Sequence, residues 1–187
     1  MSKESFQLPI IVVWIACIAY GLFDLNQYQF KAGSDVAVSD WPASTKLQRS
    51  TSLPTEILFL HPACPCSAAS LDALQKIMSR CSRPAHVIVA FVKEDGIVTE
   101  DTNLWQSAQK IPGIQILQVE TTEPKLFGAT TSGFLALYSP SGNLMFCGGI
   151  TSERAHIGDS VGADAVVTCI DGSKPSIAKT PAFGCEL

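Results

Sequence analysis

Residues 57–81, ILFLHPACPCSAASLDALQKIMSRC, decide the fold. Ile57 to Leu60 is a short continuous apolar run, the pattern of a strand buried on both faces. From Ser67 to Cys81 the apolar residues Leu71, Leu74, Ile77, Met78 and Cys81 recur at helical spacing, while Asp72, Gln75, Lys76 and Arg80 take the wet face, which predicts an amphipathic helix. Between them lies His61-Pro62-Ala63-Cys64-Pro65-Cys66. A turn feeding a helix N-terminus meets unpaired backbone N–H groups and the positive end of the helix dipole, both of which favour a thiolate over a thiol. A thiolate there is a better nucleophile toward disulfides at neutral pH, and a second thiol two residues away can resolve the mixed disulfide. Pro65 narrows the turn between the two cysteines.

Further along, His86 to Val92 reads as a second strand, Asn103 to Lys110 as a helix ended before Pro112, and Ile114 to Val119 as another extended stretch. Phe134 to Tyr138 and Leu144 to Cys147 are short strands joined by Ser139-Pro140-Ser141-Gly142-Asn143, which is hairpin turn chemistry. Asp159 to Ile170 forms a last helix, with Val161, Ala165, Val166, Cys169 and Ile170 available to pack on a sheet. The expected class is α/β, a central mixed sheet flanked by helices.

Toward the N-terminus, Leu8 to Phe23 is apolar apart from Tyr20, and reads as a membrane segment a little short of the roughly 20 residues that span hydrocarbon. Lys3 and Glu4 balance, so charge gives little orientation. No small-x-small cleavage site follows, where Leu22, Phe23, Asp24 and Leu25 stand, so an uncleaved anchor over 1–25 is expected, with a cleaved signal peptide as the alternative. Residues 26–53 are polar and mixed and read as a linker, which leaves 54–187 as the folded domain.

The 187 residues hold one ordinary domain plus an appendage. Thirteen basic against seventeen acidic side chains give no footprint for a phosphate backbone, so nucleic acid is not an expected partner. Seven cysteines, at 17, 64, 66, 81, 147, 169 and 185, exceed what packing requires, and only Cys64 and Cys66 are close in sequence. A domain of this size builds its own hydrophobic core, so redox or metal chemistry explains them better than stapling. No phosphate-binding glycine loop and no paired-cysteine zinc pattern occurs.

The order strand, cysteine turn, helix, strand, helix, hairpin, helix resembles thioredoxin-like domains over roughly Thr55 to Ile170. The combination of His61-Pro62-Ala63-Cys64-Pro65-Cys66, Phe146-Cys147-Gly148-Gly149-Ile150-Thr151 and Pro181-Ala182-Phe183-Gly184-Cys185 is similar to the RedB-type thioredoxin-like proteins of bacteria. The resemblance implies a thioredoxin fold and places Arg154 or His156, in the loop after Gly148-Gly149, beside the active site. Two departures stand out. One residue rather than two separates the cysteines, which makes for a smaller and strained disulfide ring. Where thioredoxins carry a cis-proline before the hairpin, this chain has Thr130, Thr131 and Ser132 before Gly133.

Three functions compete on this reading. The first is a membrane-tethered thiol-disulfide oxidoreductase without a cofactor, using Cys64 and Cys66 on a thiol- or disulfide-bearing protein partner. Its supporting residues are His61, Pro65, Thr131, Cys185, Arg154 and His156. A disulfide-cycling turn suits an oxidising compartment, so a single-pass anchor with the domain on the periplasmic side is expected. The second is a metal-binding or delivery module, with Cys64, Cys66 and either His61 or Cys185 as ligands for a soft ion such as copper or zinc. The third is a domain used for binding alone.

Overall fold

The computed structural model describes the backbone of residues 4–187 and side chains from Pro9 onward; Lys3 lies outside the described residues. The chain forms two compact units, Met1–Lys31 and Ala32–Leu187. In the first, α1 (Glu4–Gln29) is a single helix containing Pro9. Its stretch Pro9–Gln29, mean hydropathy 1.8, is long and apolar enough to cross a membrane. The helix runs past Phe23, where the apolar run ends in the sequence, and continues through Asp24 and Leu25 to Gln29.

The second unit is built on β1 (Thr55–Leu60), every residue of which is buried. β1 pairs in parallel with β2 (His86–Val92) and antiparallel with β4 (Phe134–Tyr138). Outside these lie β3 (Ile114–Val119), parallel to β2, and β5 (Leu144–Gly149), antiparallel to β4. The resulting order, β3-β2-β1-β4-β5, makes a mixed five-stranded sheet of thioredoxin-like topology. The helices are α2 (Cys66–Arg80), α3 (Asn103–Ala108), α4 (Thr122–Leu126) and α5 (Val161–Ile170). Ser160 caps α5 by accepting the Ala163 N–H, so that helix starts at Val161, two residues after the Asp159 start expected from the sequence.

Alternate residues of each strand face opposite ways, and both faces are apolar. Leu58, Leu60, Val89, Phe91 and Leu137 pack under α2 and α5. Ile57, Phe59, Ile88, Phe134 and Tyr138 form the other face, where, among the described residues of this unit, the short α4 is the one helix and gives little cover. The segment ahead of β1 supplies the rest. Leu47 is buried there, and Trp41 stands edge-on to Phe127 and Tyr138, both at 5.3 Å. The Tyr138 hydroxyl donates to Val38 O. Asp35 Oδ1 accepts the N–H groups of Thr130 and Thr131, at 2.6 and 3.0 Å. Sequence periodicity starts the folded body at Pro54; the compact unit starts at Ala32 because residues 33–53 cover a sheet face without adopting a periodic element.

Removing residues 1–31 is therefore expected to leave cooperative unfolding unchanged. Cutting on to residue 53 should lower stability by at least about 3 kcal/mol, from a buried leucine and two aromatic contacts. Urea unfolding midpoints of the two truncated chains decide this.

Candidate active site

The turn between β1 and α2 is held from several directions. The Cys64 N–H donates to His61 O at 3.2 Å, and the Ser67 N–H donates to Cys64 O at 3.1 Å. Pro65 occupies the helix N-cap with φ −59°, already helical, and needs no N–H partner. His61 N–H donates to Ser132 Oγ at 2.9 Å, and Ser67 Oγ lies 2.9 Å from the same oxygen. Ser132 thus ties the turn to the segment before β4. Gly133 N–H completes the link by donating to Phe59 O at 2.8 Å.

Cys64 and Cys66 are both buried, and Cys185 folds back onto them. The last residues reach the site along a defined path. Thr180 N–H donates to Cys147 O and Thr180 Oγ1 to Gly149 O, while Ala182 O accepts the Gly33 N–H. Beyond this the tail crosses to the segment before β4. Ser132 N–H donates to Cys185 O at 2.8 Å, Thr131 bridges Glu186 antiparallel, and Leu187 N–H donates to Thr130 O at 3.0 Å. A Cβ on Gly184 would sit 1.9 Å from Ser132 O, so only glycine fits this crossing. The stretches around Cys64, Cys147-Gly148-Gly149 and Pro181–Cys185 on which the sequence resemblance rests therefore converge on one end of the sheet.

The three thiols differ. Burial pushes the Cys64 thiol up, yet hydrogen bonds from the Cys185 thiol, the Cys185 N–H, the Cys66 N–H and the Cys66 thiol more than offset this and lower its pKa. Its turn leads into the N-terminus of α2, where the positive end of the helix dipole also favours the thiolate. Cys66 is raised by burial and by the adjacent Cys64 charge, although the Ala155 N–H and Arg154 act the other way. Cys185 is pushed up to about 12, first by burial and then by its hydrogen bond to Cys64, with Arg154 again opposing. Ala155 delivers its N–H from a left-handed backbone, φ 55°.

The supporting residues sort as follows. Thr131 is buried and pairs with the tail, and Arg154 bears on Cys66 and Cys185. His156 turns to Glu153, Nδ1 to Oε1 3.3 Å. His61 Nδ1 accepts the Ala63 N–H at 3.1 Å, and its Nε2 lies 3.0 Å from Glu94 Oε2. Both ring nitrogens are engaged, which leaves His61 no free lone pair for a metal. Among the described residues no three His, Cys, Asp or Glu side chains are disposed to hold an ion together.

Of the other cysteines, Cys81 and Cys169 pack under the sheet face that α2 and α5 cover, and Cys147 packs on the opposite face. Burial raises all three, Cys81 to about 11. Ser67, Ser132, Asp35 and Glu94 belong to the site or brace it, and no local pattern marked them: each acts across more than thirty residues of sequence or through a single hydroxyl. A cleft of about 600 Å³ opens beside Cys64, between Pro62, Pro65 and Leu71 on one side and Leu104 and Ile111 on the other.

No family profile and no curated protein matches this sequence. Solved structures do. A hypothetical protein from Sinorhizobium meliloti 1021 superposes with a TM-score of 0.61 at 18% identity, covering 83% of this chain and 97% of its own. An uncharacterized conserved protein from Geobacillus kaustophilus gives 0.60 at 16% identity, covering 84% and 90%. A SCO1/SenC family lipoprotein from Bacillus anthracis gives a looser 0.47 at 14% identity, covering 75% and 99%. At these identities the likeness is one of fold.

Proposed function

We propose that this chain is a membrane-tethered thiol-disulfide oxidoreductase of the RedB type, in which Cys64 attacks a disulfide of a protein partner. The observation that carries the reading is the donor set around Cys64: two backbone N–H groups and two thiols aimed at one sulfur favour a thiolate where a partner can approach through the adjacent cleft. Attack joins Cys64 Sγ to one partner sulfur and releases the other as a thiolate. Cys66 and Cys185 are the two thiols in contact with Cys64 that can then attack the mixed disulfide. The helix α1 serves as the anchor and the domain faces the periplasm, where disulfide cycling is sustained. A C-terminal reporter active only in the cytoplasm would refute that orientation.

The test of the chemistry is the rate of alkylation against pH, followed for each thiol by mass spectrometry. A lowered pKa means that the alkylation rate of Cys64 should fall off at a lower pH than that of an ordinary thiol. Cys66, raised, should react appreciably only above the ordinary thiol range. Both titrating like free cysteine would favour the binding-only reading. Copper or zinc bound in stoichiometric amount and surviving chelators, then lost in Cys64→Ser, would favour the metal reading.

A further inference from the structure

We infer that Cys185 is the resolving thiol, so that the oxidised protein carries a Cys64–Cys185 disulfide and the C-terminal tail acts as a tethered, displaceable occupant of the partner-docking segment. This rests on the oxidoreductase reading above and adds to it the identity of the second cysteine and the place where the partner's chain lies.

Three observations support it. The tail is a built part of the site: it pairs with Thr130–Ser132 through two backbone hydrogen bonds and a bridge at Thr131, and Gly184 is fitted against Ser132 O. That pairing brings both the thiol and the N–H of Cys185 onto the Cys64 sulfur. The rival, Cys66, is the first residue of α2 and lies two positions from Cys64, so their disulfide would close a small strained ring within a hydrogen-bonded turn. Cys64 is only 4% exposed, and the thiol and N–H of Cys185 occupy one side of its sulfur, so lifting the tail opens a second approach beside the cleft. An extended partner segment carrying a cysteine can then take the same backbone donors and acceptors on Thr130–Ser132, as in strand addition.

The steps balance. Cys64 thiolate forms a bond to one partner sulfur, and the partner's S–S bond breaks, its second sulfur leaving as a thiolate that takes up a proton. The tail returns, Cys185 gives up its proton and attacks Cys64 Sγ, and the Cys64–partner bond breaks to free the other partner thiol. The partner disulfide is reduced to two thiols as Cys64 and Cys185 are oxidised to one disulfide.

The experiment uses the full chain in detergent, reduced and then equilibrated with glutathione buffers of increasing potential, acid-quenched, alkylated and digested with trypsin. The peptide Thr180–Leu187 holds Cys185 alone, and Ser50–Lys76 holds Cys64 and Cys66. The expected product is these two peptides linked, in the native chain and in Cys66→Ser, with the link lost in Cys64→Ser. Cys185→Ser should accumulate Cys64 as its glutathione adduct, and Gly184→Ala should reduce the linked fraction by dislodging the tail. An internal disulfide in Ser50–Lys76 beside alkylated Thr180–Leu187 overturns the inference and leaves the oxidoreductase reading standing. So does a link that survives Cys64→Ser. No disulfide at any potential overturns both.

Discussion

Cys64→Ser is expected to abolish thiol-disulfide exchange, with a loss of roughly a thousandfold or more, as removal of a nucleophile produces. The reason is chemical. A hydroxyl in that position is not ionised near neutral pH and cannot form the sulfur–sulfur bond on which the reaction turns, however well the surrounding N–H groups are placed. Assays of disulfide reduction by the reduced chain measure this directly. Cys81→Ser and Cys169→Ser provide the contrast: both thiols are raised by burial and packed under the sheet, so those variants should exchange at the native rate and show at most a change in stability. Full activity in Cys64→Ser would remove the basis of the proposed function.

The second large effect concerns a residue far from the turn. Glu56 sits in the central strand with no exposed surface and neither carboxylate oxygen hydrogen-bonded, and burial raises its pKa from 4.5 to about 8. The folded protein therefore holds this proton at neutral pH while the unfolded chain releases it. Stability is fully present below about pH 4.5 and is lost progressively as pH rises to about 8, falling by about 1.4 kcal/mol per unit and by about 5 kcal/mol in all. Glu56→Gln stays neutral throughout and should remove that slope. Urea unfolding at several values between pH 5 and 8.5 tests this; equal slopes in the two proteins would show that the carboxyl is not the cause. The same charge, once formed, reaches Cys81, whose pKa it helps to raise.

The strand, turn and helix over residues 57–81 were readable because burial on both faces and helical periodicity leave unmistakable patterns in a single sequence. The mixed sheet followed from the hairpin and the alternation ahead of it. The wrap formed by residues 33–53 was not readable, since Trp41, Leu47 and Asp35 act singly and without a period. A different signal was present all the same. Strands apolar on both faces need two covers, and the two amphipathic helices α2 and α5 both serve one face, so some non-periodic stretch had to supply the other. At the site, Cys64, Cys66 and Pro65 stood out by position in the turn. The return of Cys185 was only a candidate, because the backbone pairing that brings it home joins residues more than fifty apart. Arg154 and His156 are close in sequence, yet Arg154 bears on the thiols while His156 pairs with Glu153, a difference of side-chain direction that no spacing rule encodes.

The pairing of the tail with Thr130–Ser132 also bears on the unfolded chain. A covalent link between positions 64 and 185 would close a loop through most of the domain, and in the chain-entropy account a loop of that length disfavours the unfolded ensemble by about 5 kcal/mol, whereas a ring confined to a Cys-Pro-Cys turn constrains almost nothing. Redox state would then be written into melting temperature, the oxidised protein unfolding well above the reduced one.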